Sequence, residues 1–406
     1  MRAEPLSPLG VSGTLTDERR QRVPAAEEAH ARMRALVSGL LARRRQFGIT
    51  RLGSITRLDR IGITVTQVVR PLALSNAVCQ GKGLDPLRAA ASGLMEALES
   101  WASETIAPSR LTSRAATDME SDLRALYAGS LLNRSDAGWD RIALGWIDGW
   151  DLLAGRSRPV PAALVDTIYT YPSPHPVAFP RTTTGLAAGS TLHAAILHAG
   201  LEVLERASVA DAARRPGFFD RSQLDSTAIG WPLSAFLLGR IHAAGLVAGI
   251  WRVEADHGLP VYWCHVVENA GTAELAPLPG EGFGCDFTHD GALAKALLEA
   301  CQARATAIAG TREDITRGFY PARHDRAGLE AWRRRIVKVA RPCPPPREVA
   351  APDGPTPALN RLLEALHKAG AKAALVVPLL SLDVPGVEVI RLVVPPLRHG
   401  PAPATS

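Results

Sequence analysis

Residues 83–100 read GLDPLRAAASGLMEALES and residues 189–206 read GSTLHAAILHAGLEVLER, so the two segments align without a gap. In each segment, a residue of the type that caps helices follows the first glycine. This residue is Asp85 in the first segment, with Pro86 in the first turn, and Thr191 in the second. Both patterns predict a helix. The chain therefore contains an internal duplication of one helical unit.

Each of these helices ends in a Glu-x-x-Glu pair, Glu96/Glu99 in the first and Glu202/Glu205 in the second. A spacing of three puts both carboxylates of a pair on one helix face. Single pairs of this kind are ordinarily solvent-facing acids. Here both pairs lie late in their helices, where the helix dipole disfavours anions, and among small and apolar residues that favour burial. We therefore expect four converging carboxylates that need cations. All-oxygen ligation suits magnesium, which usually arrives with phosphates.

Basic residues near both pairs are the kind that a phosphate site needs. Gln80-Gly81-Lys82-Gly83 immediately precedes the first acidic helix, which places Lys82 near a phosphate at the helix start. The GxxxxGK[ST] spacing of a P-loop is absent, so that motif is excluded. Arg206 directly follows Glu205. A third cluster, for which surface ion pairing is the alternative, surrounds a later helix and comprises Glu299, Gln302, Arg304, Arg312, Glu313 and Asp314.

Two other classes of carboxylate site fit the sequence less well. Di-iron bundles need a Glu-x-x-His on two helices, whereas both pairs here are Glu-x-x-Glu. Prenyl-chain synthases bind magnesium and diphosphate with acidic helical motifs, but they are all-α proteins. The strand-like segments of this chain argue against that class.

Hydrophobic periodicity and β-branched runs predict an α+β fold, with mixed or antiparallel sheets flanked by helices. Helices are predicted over residues 24–47, 86–104, 192–213, 233–244, 291–308 and 358–369. Strands are predicted within residues 49–79, 145–165, 246–254, 259–268, 373–380 and 387–394. Residues 341–357, RPCPPPREVAAPDGPTP, have the composition of a linker.

The composition is that of a globular protein. The 406 residues are 21% charged and 46% hydrophobic, with a net charge of +6, which excludes wholesale disorder. The arginines are scattered, so no nucleic-acid partner is predicted. Five cysteines without a CxxC pair predict neither a disulfide framework nor a structural zinc site. The N-terminus lacks a signal-peptide pattern, and residues 231–251 are interrupted by Arg240 and His242. We expect a cytoplasmic protein without a membrane span.

Four blocks of the sequence, in this order, resemble the YcaO superfamily. They are SITRLDRIGITV (54–65), QGKGLDPLRAAASGLMEALES (80–100), TTTGLAAGSTLHAAILHAGLEVLER (182–206) and ALLEACQARATAIAGTREDI (296–315). The resemblance covers roughly residues 50–400. It implies a YcaO-type fold with an ATP site in which glutamates hold magnesium ions against the triphosphate. It also implies an N-terminal helical extension (1–50), an ATP-binding catalytic core (51–340), a Pro-rich linker (341–357) and a C-terminal helix and strands completing the domain (358–406).

The resemblance also assigns roles to individual residues. The magnesium ligands would be Glu96, Glu99, Glu202 and Glu205; the ATP-binding residues would be Lys82, Ser92, Arg206, Gln302, Arg304 and Arg312. Arg206 and Arg304 are the cations that we assign to catalysis. The sequence departs from the family pattern at Ser190 and Ala194, where Asn and Glu are frequent, and at Ser100, where Arg often follows the first pair.

The implied reaction is the ATP-dependent activation of a peptide backbone amide. A nucleophile adds to the amide carbonyl, the oxyanion attacks the γ-phosphate, and loss of phosphate leaves the modified amide. A Cys, Ser or Thr side chain of the substrate as nucleophile yields an azoline ring, and external sulfide yields a thioamide. Azoline-forming members commonly end in Pro-x-Pro-x-Pro, whereas here Pro401 and Pro403 are followed by Ala-Thr-Ser. We therefore favour thioamidation of a ribosomally made peptide or protein, with a TfuA-type partner.

The matching region leaves too few residues before it for the fused peptide-binding domain of some azoline synthetases. The expected partners are thus a peptide or protein substrate and a separate TfuA-like or leader-peptide-binding protein. A homodimer fits the amphipathic N-terminal helix. The remaining alternatives are a cyclodehydratase and an ATP-binding scaffold without catalysis, the latter suggested by Ser190 and Ala194.

Overall fold

The computed structural model describes residues 5–18, 26–131, 138–269, 279–312, 326–337, 342–383 and 386–397. Glu313, Asp314, Pro401 and Pro403 therefore lie outside the described residues.

Helices and strands alternate along the described chain in no regular order. The helices are α1 (Pro8–Glu18), α2 (Ala26–Ala42), α3 (Pro86–Glu104), α4 (Ser121–Ala128), α5 (Leu192–Ala213), α6 (Phe218–Arg221), α7 (Pro232–Ala243), α8 (His289–Ala309), α9 (Arg326–Val337) and α10 (Pro355–Lys368). The strands are β1 (Arg51–Ser54), β2 (Thr64–Val69), β3 (Val78–Gly83), β4 (Thr112–Arg114), β5 (Leu144–Asp151), β6 (Arg156–Pro161), β7 (Leu186–Gly189), β8 (Leu246–Val253), β9 (Val261–Glu268), β10 (Gly280–Cys285), β11 (Leu375–Leu382) and β12 (Val387–Val393).

These strands form three sheets, and each pairing between them is antiparallel. Two sheets have three strands, in the orders β1-β2-β3 and β10-β9-β8. The third has six strands, in the order β4-β5-β11-β12-β7, with β6 paired to β5. Because helices cover sheets of antiparallel strands, the predicted α+β class is confirmed.

Most of the predicted elements are present with shifted ends. The segment 231–251 is a helix followed by a strand, as predicted. Described residues 342–354 of the predicted linker contain no helix and only an isolated bridge at Cys343, but α10 already begins at Pro355. The sequence reading missed β7 and β10, whose sequences LAAG and GEGFGC lack the β-branched residues that mark strands. No described helix has both the length and the apolar content that crossing a bilayer requires.

Three strand–helix units, β3–α3, β7–α5 and β10–α8, share one construction. Glycines of each strand lie against the backbone of the following helix. A Cβ added to Gly81 would lie 2.0 Å from the Ala89 carbonyl oxygen, and one added to Gly282 would lie 2.2 Å from that of Ala296. The helices begin at the side-chain caps Asp85, Thr191 and Thr288, and the first two caps confirm the sequence prediction. Such close packing fixes where each helix face points.

The first helix is docked on this framework by Glu18. Its carboxylate accepts hydrogen bonds from the backbone N–H groups of Leu192 and His193, at 2.7 and 2.8 Å, and from the His193 ring at 2.8 Å. Val11 and Leu15 of the same helix are buried in the core. The N-terminus of α5 is thus capped twice, by Thr191 and by a residue far away in sequence.

Candidate functional site

The two Glu-x-x-Glu pairs meet at strand β7, where the strand donates a backbone hydrogen bond to one pair and the residue just before it donates to the other. The N–H of Ala188 donates to Glu99 Oε1 at 2.7 Å, and the N–H of Gly185, just before the strand, donates to Glu202 Oε2 at 3.0 Å. The two helices α3 and α5 therefore present their acidic faces to one another across this strand. The convergence expected from the internal repeat is present in the structure.

A third helix, α8, brings Glu299 to the same place. Glu205 Oε2 accepts a hydrogen bond from the backbone N–H of Cys285 at 3.1 Å, which ties α5 to the end of β10. Arg206 joins the two helices, since its side chain lies 3.5 Å from Glu205 Oε1 and 3.5 Å from Glu299 Oε1. The guanidinium also stacks over Phe283, 5.4 Å from the ring centroid.

Lys82, on strand β3, lies next to this group of carboxylates. Its Nζ lies 3.4 Å from Glu299 Oε2, and its backbone N–H donates to Ser92 Oγ at 3.4 Å. Ser92 thus holds the end of strand β3 against α3. Arg312 lies within electrostatic reach of Glu96, whose pKa it lowers together with Lys82. Gln302 lies half-buried on α8, three residues after Glu299.

The carboxylates have unusual acidities because the protein surrounds them. Burial raises the pKa of Glu96 and that of Glu205 to about 7, against the opposing charges of Lys82 and Arg206. Burial also raises the pKa of Glu99 and of Glu202. In both pairs, the negative charges of neighbouring carboxylates raise the pKa values further. Although burial favours neutral arginine, the carboxylates of Glu299, Glu205 and Glu202 raise the pKa of Arg206.

Such a set of crowded carboxylates fits a cation. Their charges repel one another and are partly removed from water, so a divalent ion would relieve both costs. Within the described chain, no three carboxylate, imidazole or thiol side chains are arranged to hold one ion by themselves. Magnesium usually keeps several water or phosphate ligands and takes one or two protein carboxylates per ion. Glu96, Glu99, Glu202 and Glu205 are the residues that would hold such ions, with one or two carboxylates to each.

The structure does not bring Arg304 into this group. Arg304 is fully buried, and its guanidinium is held by Asp59 at 2.9 Å and by Glu268 at 2.8 Å. Five residues separate Arg304 from Glu299, a rotation of about 140° around a helix. The two carboxylates hold Nε and one terminal nitrogen of Arg304, and the other terminal nitrogen is buried without a hydrogen-bond partner among the described residues. The expectation that Arg304 faces a phosphate or adenosine stays a prediction.

Sequence reasoning missed His198 and Lys295. His198 is an exposed residue one turn before Glu202 on the same helix face. Desolvation of its imidazole by the surrounding protein, with the charges of Lys295 and Lys82, lowers the pKa of His198 to about 4. The signal in the sequence is the spacing of four residues between His198 and Glu202, which puts both on one helix face. Ala194, one turn earlier, offers the site no polar group, and Ser190 is exposed.

Comparisons with known proteins show the family of this chain. The family model described as YcaO cyclodehydratase, ATP- and Mg2+-binding, matches residues 80–398. An uncharacterized protein from Mycobacterium tuberculosis is 35% identical over 275 residues, which are 67% of this chain and 60% of that protein. A Rhizobium leguminosarum bv. trifolii protein, named only as lying in the tfuA 3′ region, is 31% identical over 368 residues, covering 87% of this chain and 84% of that one.

Solved structures share the fold. The YcaO protein from Methanopyrus kandleri, bound with AMPPCP and Mg2+, superposes with a TM-score of 0.64 at 21% identity over 89% of this chain and 90% of that one. A heterocyclase in complex with substrate and cofactor gives 0.63 at 18% identity, over 90% of this chain and 52% of its own. With the family model matching most of its length, this chain belongs to the YcaO family.

Proposed function

We propose that the protein uses ATP and Mg2+ to activate a backbone amide of a ribosomally made peptide or protein. The observation that carries the proposal is the meeting of Glu96/Glu99 and Glu202/Glu205 across β7. The family description, ATP- and Mg2+-binding, and the AMPPCP and Mg2+ bound by the Methanopyrus kandleri relative support it.

The residues suit phosphoryl transfer to an amide oxygen. That oxygen is a poor leaving group until it is phosphorylated, and such transfer is catalysed mainly by positioning and by neutralisation of spreading charge. Bound magnesium would neutralise charge on the triphosphate. Lys82, Arg206 and Arg312 would bind and orient the phosphates. Ser92 would hold the backbone of Lys82 in place. Gln302 would contribute a polar contact to the nucleotide.

The carbonyl carbon is expected to gain one bond and lose another in this reaction. The nucleophile bonds to carbon, the resulting oxyanion takes the γ-phosphoryl group and ADP departs. The C–O bond then breaks as nitrogen forms a C=N bond (azoline) or sulfur forms a C=S bond (thioamide), a proton is released to solvent, and the amide oxygen leaves within phosphate. No enzyme nucleophile is needed, which agrees with deeply buried thiols. Burial raises the pKa of Cys79, Cys264 and Cys285, which disfavours thiolates.

We propose that the reaction is thioamidation with a TfuA-type partner, so that the product is a thioamide. It is supported by the position of the Rhizobium relative next to tfuA. Azoline formation is the second candidate, since the family model is described as a cyclodehydratase and two of the structural neighbours are heterocyclases. In either case a separate peptide-binding or sulfur-handling protein is expected. We place the reaction in the cytoplasm, where ATP is made.

The first experiment measures MgATP binding by calorimetry for wild type and for the double variant Glu96→Gln/Glu202→Gln. The matched control, Glu120→Gln/Glu364→Gln, changes two exposed glutamates by the same chemistry. We expect the control to bind as wild type does and the double variant to lose binding. Equal binding by all three proteins would contradict the site.

The second experiment separates the products and the scaffold alternative. Purified protein, a TfuA-type partner encoded by the same genome and candidate peptides are incubated with MgATP, with or without sulfide, and analysed by mass spectrometry. Replacement of oxygen by sulfur indicates a thioamide, and loss of water without sulfide indicates an azoline. ADP production that is absent from Glu99→Gln would exclude the scaffold, whereas ATP binding without any turnover would favour it.

A further inference from the structure

A hydrogen-bonded chain connects the peripheral helix α9 with the carboxylate site. It begins at Trp332 on α9, passes through His265 on β9 and ends at Glu281 on β10. The indole N–H of Trp332 donates to His265 Nδ1 at 2.9 Å, and His265 Nε2 lies 3.1 Å from Glu281 Oε1. The indole N–H of Trp263 donates to the same carboxylate oxygen at 2.9 Å.

These contacts determine the tautomer of His265. Because an indole nitrogen only donates, Nδ1 must be the unprotonated nitrogen that accepts from Trp332. The neutral ring then carries its proton on Nε2 and donates it to Glu281. The indole N–H of Trp263 lies 3.2 Å from the same Nε2 but donates to the nearer Glu281 Oε1, at 2.9 Å. The ring is only 1% exposed and is surrounded by Trp251, Trp263 and Trp332, with centroids at 5.2, 6.2 and 5.5 Å. Two donors thus hold one oxygen of Glu281 in a fixed direction.

Glu281 lies on the strand face that the Arg206 guanidinium covers. Residues two apart on a strand lie on the same face, so Glu281 and Phe283 share the face of β10 over which the Arg206 guanidinium is stacked. The charge of Glu281 adds to those of Glu299, Glu205 and Glu202 in stabilising the charged form of Arg206. Unlike those three, Glu281 has two hydrogen-bond donors that do not belong to the site.

We propose that Glu281 is a positioning residue that orients Arg206, and that Trp332 fixes Glu281 through His265, so that the seating of helix α9 sets the geometry of the phosphate-binding arginine. The inference rests on the proposed function for what Arg206 binds. Two further contacts seat α9: Trp332 stacks on Trp251 with centroids 5.7 Å apart, and Gln223 Nε2 donates to the Ile336 carbonyl at 3.1 Å.

Three variants test the chain of contacts. Glu281→Gln keeps an oxygen for both donors but removes the charge that acts on Arg206. Trp332→Phe keeps the ring of the aromatic cluster but removes the N–H that selects the His265 tautomer. The control is Trp146→Phe, which removes another buried indole N–H, bonded to the Arg114 carbonyl at 2.9 Å, and leaves α9 and the donors to His265 and Glu281 in place.

The direct readout is nuclear magnetic resonance of labelled side chains. In wild type we expect the 15N pattern of an Nε2–H histidine at His265 and a shifted, slowly exchanging Nε–H signal from Arg206. Trp332→Phe should give a mixed tautomer at His265, and Glu281→Gln should move the Arg206 signal toward that of a free side chain. Trp146→Phe should preserve both signals.

The functional readout is MgATP affinity. Loss of an orienting partner typically weakens such a site about tenfold, and we expect that change for Glu281→Gln and Trp332→Phe but not for the control. An unchanged Arg206 signal and affinity in Glu281→Gln would overturn the inference, as would equal behaviour of the two tryptophan variants. If wild type fails to bind MgATP, the proposed function fails, and the Arg206 and His265 signals still decide whether Glu281 orients Arg206.

Discussion

The ammonium group of Lys82 lies 3.4 Å from a carboxylate oxygen of Glu299, although 217 positions separate the two residues in the chain. The other oxygen of Glu299 lies 3.5 Å from Arg206. The Glu299 carboxylate therefore lies against two of the cations that would contact a triphosphate. Its negative charge also raises the pKa of the neighbouring glutamates.

Removing the positive charge of Lys82 and removing the negative charge of Glu299 should shift the pKa of Glu96 in opposite directions. Burial raises the pKa of Glu96 most strongly, Lys82 lowers it and Glu299 raises it. Glu299→Gln should therefore lower the pKa from about 7, and Lys82→Met should raise it. The measurement is a 13C titration of the labelled glutamate carboxyls without metal. Shifts of the same sign in both variants would contradict the arrangement.

Arg304 should matter for stability more than for chemistry. Its removal leaves the carboxylates of Asp59 and Glu268 buried without their cation, and breaking a buried pair in this way costs about 3–5 kcal/mol. We expect Arg304→Met to lose that much free energy of unfolding in urea, and Arg304→Lys to lose less because it keeps the charge. A stable Arg304→Met protein that lacks only turnover would instead support the catalytic role expected from the family resemblance.

The contact of α1 with α5 should weaken in acid. Burial alone would raise the pKa of Glu18, but hydrogen bonds from His193 and Leu192 outweigh it and hold the pKa below the ordinary value of 4.5. A depressed carboxyl pKa contributes stability above the unfolded value, which is lost as the pH falls through the folded one. At pH 7 Glu18→Gln should cost about 1–3 kcal/mol. The difference from wild type should shrink below about pH 4.5 in thermal unfolding, and a constant difference would argue against this account.

Close packing of β10 on α8 should make its glycines irreplaceable. A Cβ at Gly282 would lie 2.2 and 2.3 Å from backbone atoms of Ala296 and Ala300, so the strand and the helix would have to separate. We expect Gly282→Ala to lose about 3 kcal/mol or more. The control is Gly239→Ala on α7, where a Cβ meets no atom within 4 Å and an alanine should stabilise the helix by up to about 1 kcal/mol. Calorimetric unfolding of both variants checks the difference.

The sequence predicted what local interactions determine. The caps Asp85 and Thr191 fix where two helices begin, and the spacing of their glutamates fixes one acidic face on each. These features depend on neighbours a few residues away. The internal repeat then made the convergence of the two faces predictable without a structure, although nothing in it indicated that β7 and the residue just before it would supply the N–H donors.

Features that depend on distant partners could not be predicted in this way. A backbone donor such as that of Ala188 leaves no trace in residue identity. Arg304 lies in a helix buried on several sides, and its partner Asp59 is 245 positions away, so spacing alone did not reveal which face it occupies. His198 was overlooked for the opposite reason, since one histidine beside an acidic pair is commonplace.

The order of strands in the six-stranded sheet constrains how this protein is made in a cell. Its central strands β11 and β12 come late in the chain and lie between β5 and β7. A nascent chain that has been synthesised only as far as Lys372 thus has no partner for the facing edges of β5 and β7, and unpaired edges of this kind favour aggregation. Strand β7, beside which two backbone N–H groups donate to the glutamates, can therefore be seated in its sheet only after β11 and β12 have left the ribosome.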